Sequence, residues 1–342
     1  MIKDNKVVAG SFELLLNSSK LPDYIASTIK EVTVEDTINQ PAMFTIKIEI
    51  GDFIKNMSQE KMDVDIFKPG DEMQISMGFD APKKMIIGEI ISVEPTFQKP
   101  FSMGIRGYDR LHRLTSGTKR LSFKKMKDSD IASSIASKIG LTPKVDDTST
   151  VFPYIFQNNQ SDYEFLLERA NRIGYEMFVE DKTFIFRKPQ DNKSPLFTLN
   201  YDLELHSFSI NMRAVPEGGK VEVRGWDIKN KKDITSTVGG NTGRELLPQK
   251  ITGETSDLIS DEVVVDAADA ENIAQARHDA MLKNVITGEG KCCGNPDIRI
   301  GKTVEIKGIG DRLSGKYYVT SSVHTINDEG YATTFKVRKI EV

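Results

Sequence analysis

The sequence predicts an α+β chain that is mainly β: two related β-barrel-like domains, a helix–helix–hairpin domain between them, and a helical insert in the second barrel. Three observations predict it. Runs that alternate apolar and polar residues, the period of half-buried strands, fill both ends of the chain. The order of those runs repeats from the N-terminal part to the C-terminal part. The stretches between them carry helix caps and helical apolar spacing instead.

Residues 28–36 alternate around Ile29, Val32 and Val34, and residues 43–50 alternate again after Pro41 and Ala42. They read as an antiparallel pair joined across Asn39-Gln40-Pro41. Pro69-Gly70-Asp71 marks a turn into residues 72–77, followed by runs at 85–93 and 101–108. Short strands at this spacing imply a small barrel or sandwich rather than a parallel sheet.

The pattern returns near the C-terminus. Residues 300–306 repeat the turn glycine and strand of 69–75, residues 316–323 echo 85–93, and residues 331–337 echo 101–108. Residues 205–210 and 219–226 stand as the counterpart of the first strand pair. Two copies of one β unit per chain would give a trimer six similar units around one axis.

Between the copies, Asp128-Ser129-Asp130 offers caps to a helix whose Ile131, Ala132, Ile135 and Ile139 share a face before Gly140. A second helix opens on the capping box Ser161-Asp162-Tyr163-Glu164 and stops at Gly174. Residues 175–179 and 183–186 form a hairpin across Glu180-Asp181-Lys182. A third helical stretch runs from about Asp269 past Val285 to Gly288. The glycine-rich run 239–243 before it is expected to lack regular structure unless a partner orders it. The expected domains are residues 1–117, 118–192 and 193–342, the last with its loop and helical insert at about 236–290.

With 342 residues the chain can build two or three sizeable cores. No apolar run is long enough for a membrane span, and the N-terminus lacks the apolar core of a signal peptide, so a cytoplasmic origin is expected. A net charge of −4 with mixed signs argues against nucleic-acid binding. Cys292 and Cys293 are adjacent and without further sulfur ligands, which implies reduced, part-buried thiols rather than a disulfide or zinc site.

A catalytic constellation is missing from the pattern. His112, His206, His278 and His324 are scattered, and no GxSxG, HExxH or phosphate-binding loop occurs. Gly104, Gly107, Gly308 and Gly310 read as turn or bulge glycines. The acids Asp128, Asp130, Asp146, Asp147, Asp162 and Glu164 suit caps and turns, although a glycosidase-like pair among them stays open. Lys124-Lys125-Met126-Lys127 reads as a solvated loop, and Trp226 as the anchor of a core edge or subunit contact. No catalytic, cofactor-binding or metal-binding residue is assigned, and no cofactor is expected.

Two segments resemble a known family. Residues 160–170, from Gln160 to Ala170, with Ile173-Gly174-Tyr175 and the hairpin to Phe186, resemble the middle of the phage late control protein D family, which includes the hub part of the valine-glycine-repeat spike proteins of type VI secretion. Gly294-Asn295-Pro296-Asp297, Gly301 to Val304, Leu313 to Val319, His324 and residues 331–335 look like its closing barrel. The resemblance implies a non-enzymatic baseplate hub, a homotrimeric ring of pseudo-sixfold symmetry around a delivery channel. Its implied partners are a separate spike protein, the inner tail tube protein, other baseplate proteins, and tape-measure protein or cargo in the lumen. It implies no nucleic-acid specificity and no membrane span. Assembly would be cytoplasmic, and the product part of a phage tail or injection-particle baseplate. The chain ends at Val342 after the second barrel, which implies a separate spike unless the sequence is a piece of a longer chain.

Two rivals of other classes remain. A tail-associated cell-wall hydrolase would need an acid such as Glu164 in turnover. A monomeric adaptor or carbohydrate-binding module would need no duplicated barrel.

Overall fold

The structure, a computed structural model, describes residues 10–50, 64–191, 194–213, 219–227, 230–239, 256–283 and 285–340. The first β unit comprises β1 (Ser11–Leu16), β2 (Ser19–Lys20), the short helix α1 (Asp23–Ala26), β3 (Ile29–Thr37), β4 (Met43–Ile50), β5 (Glu72–Gly78), β6 (Lys83–Thr96) and β7 (Phe101–Asp109). Alternation in the sequence becomes alternation in burial: Val32, Val34, Phe44, Ile46, Ile48 and Ile105 face one core. Each such side chain contributes about 2 kcal/mol by leaving water. Gly107 sits where β6 bulges, and a Cβ there would lie 2.3 Å from Phe44 Cζ. The glycine is what lets the Phe44 ring lie across the sheet.

The middle unit comprises β8 (Lys119–Met126), α2 (Asp128–Lys138), β9 (Thr142–Val145), β10 (Phe152–Gln160), α3 (Asp162–Arg172), β11 (Glu176–Glu180) and β12 (Thr183–Arg187). The capping box of α3 forms as its spacing predicts. Ser161 Oγ accepts from the Glu164 N–H at 3.1 Å, and Glu164 Oε2 accepts from the Ser161 N–H at 2.8 Å. Ile131, Phe165, Leu166, Met177, Phe184 and Phe186 meet in a second core. Lys124, Lys125 and Met126, read as loop, end strand β8, which pairs antiparallel with β10. Lys124 and Lys125 are exposed as expected.

The last part comprises β13 (Thr198–Asn200), β14 (Leu205–Met212), β15 (Lys220–Asp227), β16 (Lys232–Val238), β17 (Ser256–Ile259), α4 (Ala267–Lys283), β18 (Ile286–Cys293), β19 (Thr303–Lys307), β20 (Gly315–Asn327) and β21 (Gly330–Lys339). Three expectations change here. The partner of β14 is β18, whereas β15 pairs with β16 and β17 in a separate sheet packed on α4. Alternation marks a strand without naming its partner. The third helix ends at Lys283, and Gly288 is not its stop but a strand residue beneath the Phe208 ring, whose Cζ would lie 2.5 Å from a Cβ. Trp226 anchors no core edge, being 54% exposed at the end of β15, and of its two readings the subunit contact is left. Residues 240–243 of the glycine-rich run lie outside the described residues.

The two β units share one strand order. In the first, β3 pairs with β4, β4 with β7, β7 with β6 and β6 with β5. In the second, β14 pairs with β18, β18 with β21, β21 with β20 and β20 with β19. Irregularities correspond too. The ladder slips after Ile29 and after Leu205 at the starts of β3 and β14, and after Ile90 and after Val319 in β6 and β20. A bulge adds a residue and bends its strand, so bulges at matching places extend the repeat from pattern to backbone.

The units are joined edge to edge. Beyond its bulge, β20 pairs with β3, and β14-β18-β21-β20-β3-β4-β7-β6-β5-β1-β2 becomes one path in a 13-stranded sheet. Among the described residues this path is open at both ends. The mainly β class with interposed helices stands, but the far half of β20 is committed to the other unit rather than to closing its own barrel.

Candidate functional site

The seam between β20 and β3 is where the two β units join. Ser322 faces Asp36, His324 faces Val34, and Ile326 faces Val32, all six buried. The alternate pairs turn outward: Ser321 with Thr37, whose hydroxyls are 3.0 Å apart, Thr325 with Thr33, and Val323 with Glu35. The buried Asp36 carboxylate is met by Arg299, whose Nε donates to Oδ2 at 2.5 Å. Beside it, His324 Nε2 lies 2.9 Å from the Ile298 carbonyl, which can only accept. That fixes the proton on Nε2 and leaves Nδ1 to accept from the hydroxyls of Tyr331 and Thr333, each 3.1 Å away. Burial, reinforced by the Arg299 charge, depresses the imidazole pKa to about 3, so His324 is neutral.

The middle unit clamps onto this seam from one side. Asn39, in the turn between β3 and β4 at φ 65°, donates its N–H to the Met177 carbonyl at 3.0 Å. Its Oδ1 accepts from the Met177 N–H at 2.8 Å, and its carbonyl accepts from the Tyr163 hydroxyl at 2.6 Å. On the other flank, buried Glu176 accepts from Arg187 Nε at 2.8 Å and from the Tyr318 hydroxyl at 2.7 Å. Burial and the Glu176 charge push the Tyr318 phenol up. Arg172 of α3 grips Asp269 of α4 with two bonds, 2.8 and 2.6 Å. These links surround a cleft of about 760 Å³ whose walls include Thr37, Glu176, Tyr318, Thr320, Lys336 and Arg338. Its charges are of both signs, and its acids Glu176 and Asp128 are already bonded to Arg187 and Arg169.

Of the residues weighed for chemistry, Asp128 and Asp147 line this one cleft, each already bonded to a cation, Arg169 and Lys127, while the histidines lie apart. His112 Nδ1 donates to the Asp109 carbonyl at 2.6 Å, His206 is exposed beside Cys293, and His278 is buried on α4. Cys292 is buried and its thiol is pushed up to about 12, but Cys293 is exposed rather than part-buried, because successive strand residues face opposite ways. Glu164 is held low by the Ser161 N–H and hydroxyl, as a cap is. Asp109 is raised to about 8 by burial, against the pull of the Ala42 and Leu111 N–H groups that it accepts from. Among the described residues no three His, Cys, Asp or Glu side chains converge as a metal site. The seam residues Asp36 and Arg299 escaped sequence reasoning: 263 positions separate them, and neither breaks the pattern of its own segment.

The remaining features are surfaces. Among the described residues, β14 pairs only with β18 along residues 207–212, and β6 beyond its bulge pairs only with β7. Ile91 (45% exposed) and Met212 (46%) lie on these two free edges, and Phe97 (81%) just past the end of β6.

The sequence pattern described as the Alg8 N-terminal domain matches residues 6–328. No curated protein matches by sequence. Solved structures share the fold at low identity. The 43 kDa tail protein of prophage MuSo2 from Shewanella oneidensis is 14% identical with a TM-score of 0.74, over 97% of this chain and 99% of that one. A tail protein from Neisseria meningitidis MC58 is 12% identical with a TM-score of 0.75, over 97% of each chain. The E. coli c3393 protein, a component of the type VI secretion system, is 11% identical with a TM-score of 0.58, over 90% of this chain and 73% of that one.

Proposed function

The chain belongs to the Alg8 N-terminal domain family, and from that premise we propose that it is a structural component of a phage-type tail or related injection machine, the hub of its baseplate. The fold is that of proteins named as phage tail proteins and as a type VI secretion component. The observation that carries the reading is the repeat itself: two β units of one strand order and matched bulges, already fused edge to edge within one chain. A trimer of such chains offers six near-equivalent units with only threefold identity. A ring of that kind joins a sixfold tube on one face to a threefold spike on the other, around a channel for tape-measure protein or cargo. The three domains, bounded near residues 117 and 192, serve this design as two ring units and a clamp.

The mechanism is mechanical. The seam and the clamp residues Asn39, Glu176 and Arg187 make the two units one rigid body, so load on either face passes through buried polar bonds. The hydrolase reading gains no site, because Glu164 is spent on its helix cap. Among the described residues no helix is long and apolar enough to cross a membrane. Electron micrographs of the purified chain, alone and mixed with a candidate spike protein, test the reading. The expected particles are rings with a central hole and a six-lobed outline. Compact particles of single-chain size under both conditions would overturn it.

A further inference from the structure

The repeat turns one observed seam into a template for another. We infer that residues 92–97 of one copy, the end of β6 and the residue after it, pair antiparallel with residues 208–213 of the next copy, the end of β14 and the residue after it, in the register that β20 and β3 adopt within the chain. This rests on the trimeric hub reading and goes further, naming the surface and its occupant.

The derivation uses only the strand order and the bulges. Aligning Ile90 with Val319 sets Ser92 to Phe97 over Ser321 to Ile326, and aligning Ile29 with Leu205 sets Val32 to Thr37 over Phe208 to Arg213. Ser321 faces Thr37 and Ile326 faces Val32 in the observed seam. Carried over, Val93 faces Met212, Pro95 faces Ile210 and Phe97 faces Phe208. These occupy the places of the core-facing pairs Ser322–Asp36, His324–Val34 and Ile326–Val32. The outward places receive Ser92 with Arg213, Glu94 with Asn211, and Thr96 with Ser209. Every core-side pair is apolar and every solvent-side pair polar, as a half-buried ladder requires.

In this register the apolar faces of both strands fall on one side, so the pairing would carry each core across the seam. The exposure agrees with the pairing. Met212 stands out on an edge that is unpaired among the described residues, and Phe97 just past the end of the other such edge, where lone exposed ladders invite association. The closed ring then alternates two kinds of seam. The seam within each chain is polar, with Asp36, Arg299 and His324, and the seam between chains is apolar. Pro95 supplies no N–H, so the second ladder has one donor fewer and leans on side-chain packing.

Cysteine pairs test the register in the full-length chain with Cys293→Ser. Val93→Cys with Met212→Cys brings two thiols opposite each other across the seam. Under mild oxidation it is expected to give covalent dimers and trimers and nothing larger. Val93→Cys with Ser209→Cys, off register and on the other face, is expected to stay uncrosslinked. A chain that is trimeric by mass yet uncrosslinked by the first pair would overturn this seam and leave the hub standing. A chain that is monomeric by mass with and without a candidate spike protein, and uncrosslinked in both conditions, would overturn both. The single change Met212→Arg, on an exposed edge, is expected to leave the circular dichroism unchanged and to abolish the trimer. A trimer that survives it would also count against the seam.

Discussion

Arg299 donates to Asp36 across the boundary between the two β units, pairing a nearly inaccessible carboxylate with a guanidinium that reaches solvent. Removing the arginine strands the carboxylate, and an unpaired buried charge costs about 3 kcal/mol or more. Arg299→Met is therefore expected to lower the urea midpoint sharply. Adding Asp36→Val to it should restore much of the loss, since the orphaned charge is gone. A double variant no more stable than Arg299→Met would show that the pair does not act as a unit.

His324 makes the seam sensitive to acid. Its folded pKa, about 3, lies below the unfolded histidine value. The unfolded chain therefore binds the proton first as pH falls, and the stability is present above about pH 6.5 and is lost on acidification towards 3. The group facing it in charge is Arg299, which also opposes protonation. Between pH 7 and pH 5 the expected loss from this residue is about 2 kcal/mol. Unfolding of the wild type and of His324→Gln at both pH values checks it, the expected result being a shallower pH slope in the variant.

Tyr318→Phe removes the hydroxyl that Glu176 accepts from and leaves Arg187 in place. A hydrogen bond to a buried charged group contributes about 2 kcal/mol. The variant is expected to lose that amount in denaturant unfolding, with intact secondary structure by circular dichroism.

Much of this was legible in the sequence, and the parts that were not share physical causes. Val32, Val34, Ile46 and Ile48 announced their strands because one face of each is buried. Ser161 and Glu164 announced α3 because capping is local. Strand β8 was missed because Phe123 is its single buried residue, so its lysines gave no alternation. The partner of β14 was missed because 73 residues, 213–285, intervene before β18. The seam was illegible altogether. A pairing between Thr37 and Ser321 depends on how two units dock, and no local pattern encodes that.

Ser161→Ala takes one half of the capping box from α3 and is expected to cost about 1 kcal/mol in thermal or urea unfolding. Glu164→Gln, which retains an acceptor, should cost less. Incubating both variants and the wild type with purified peptidoglycan separates a cap from a catalytic acid. Equal, background-level release of soluble fragments is expected, and release by the wild type that Glu164→Gln abolishes would favour the hydrolase.

The most direct measurement of the central claim is the mass in solution, by light scattering over a range of concentrations with and without a candidate spike protein. The hub account predicts a particle of three chains, each of 38.3 kDa, in at least one of those conditions. A mass that stays at one chain at every concentration, and does not respond to the spike protein, would contradict it.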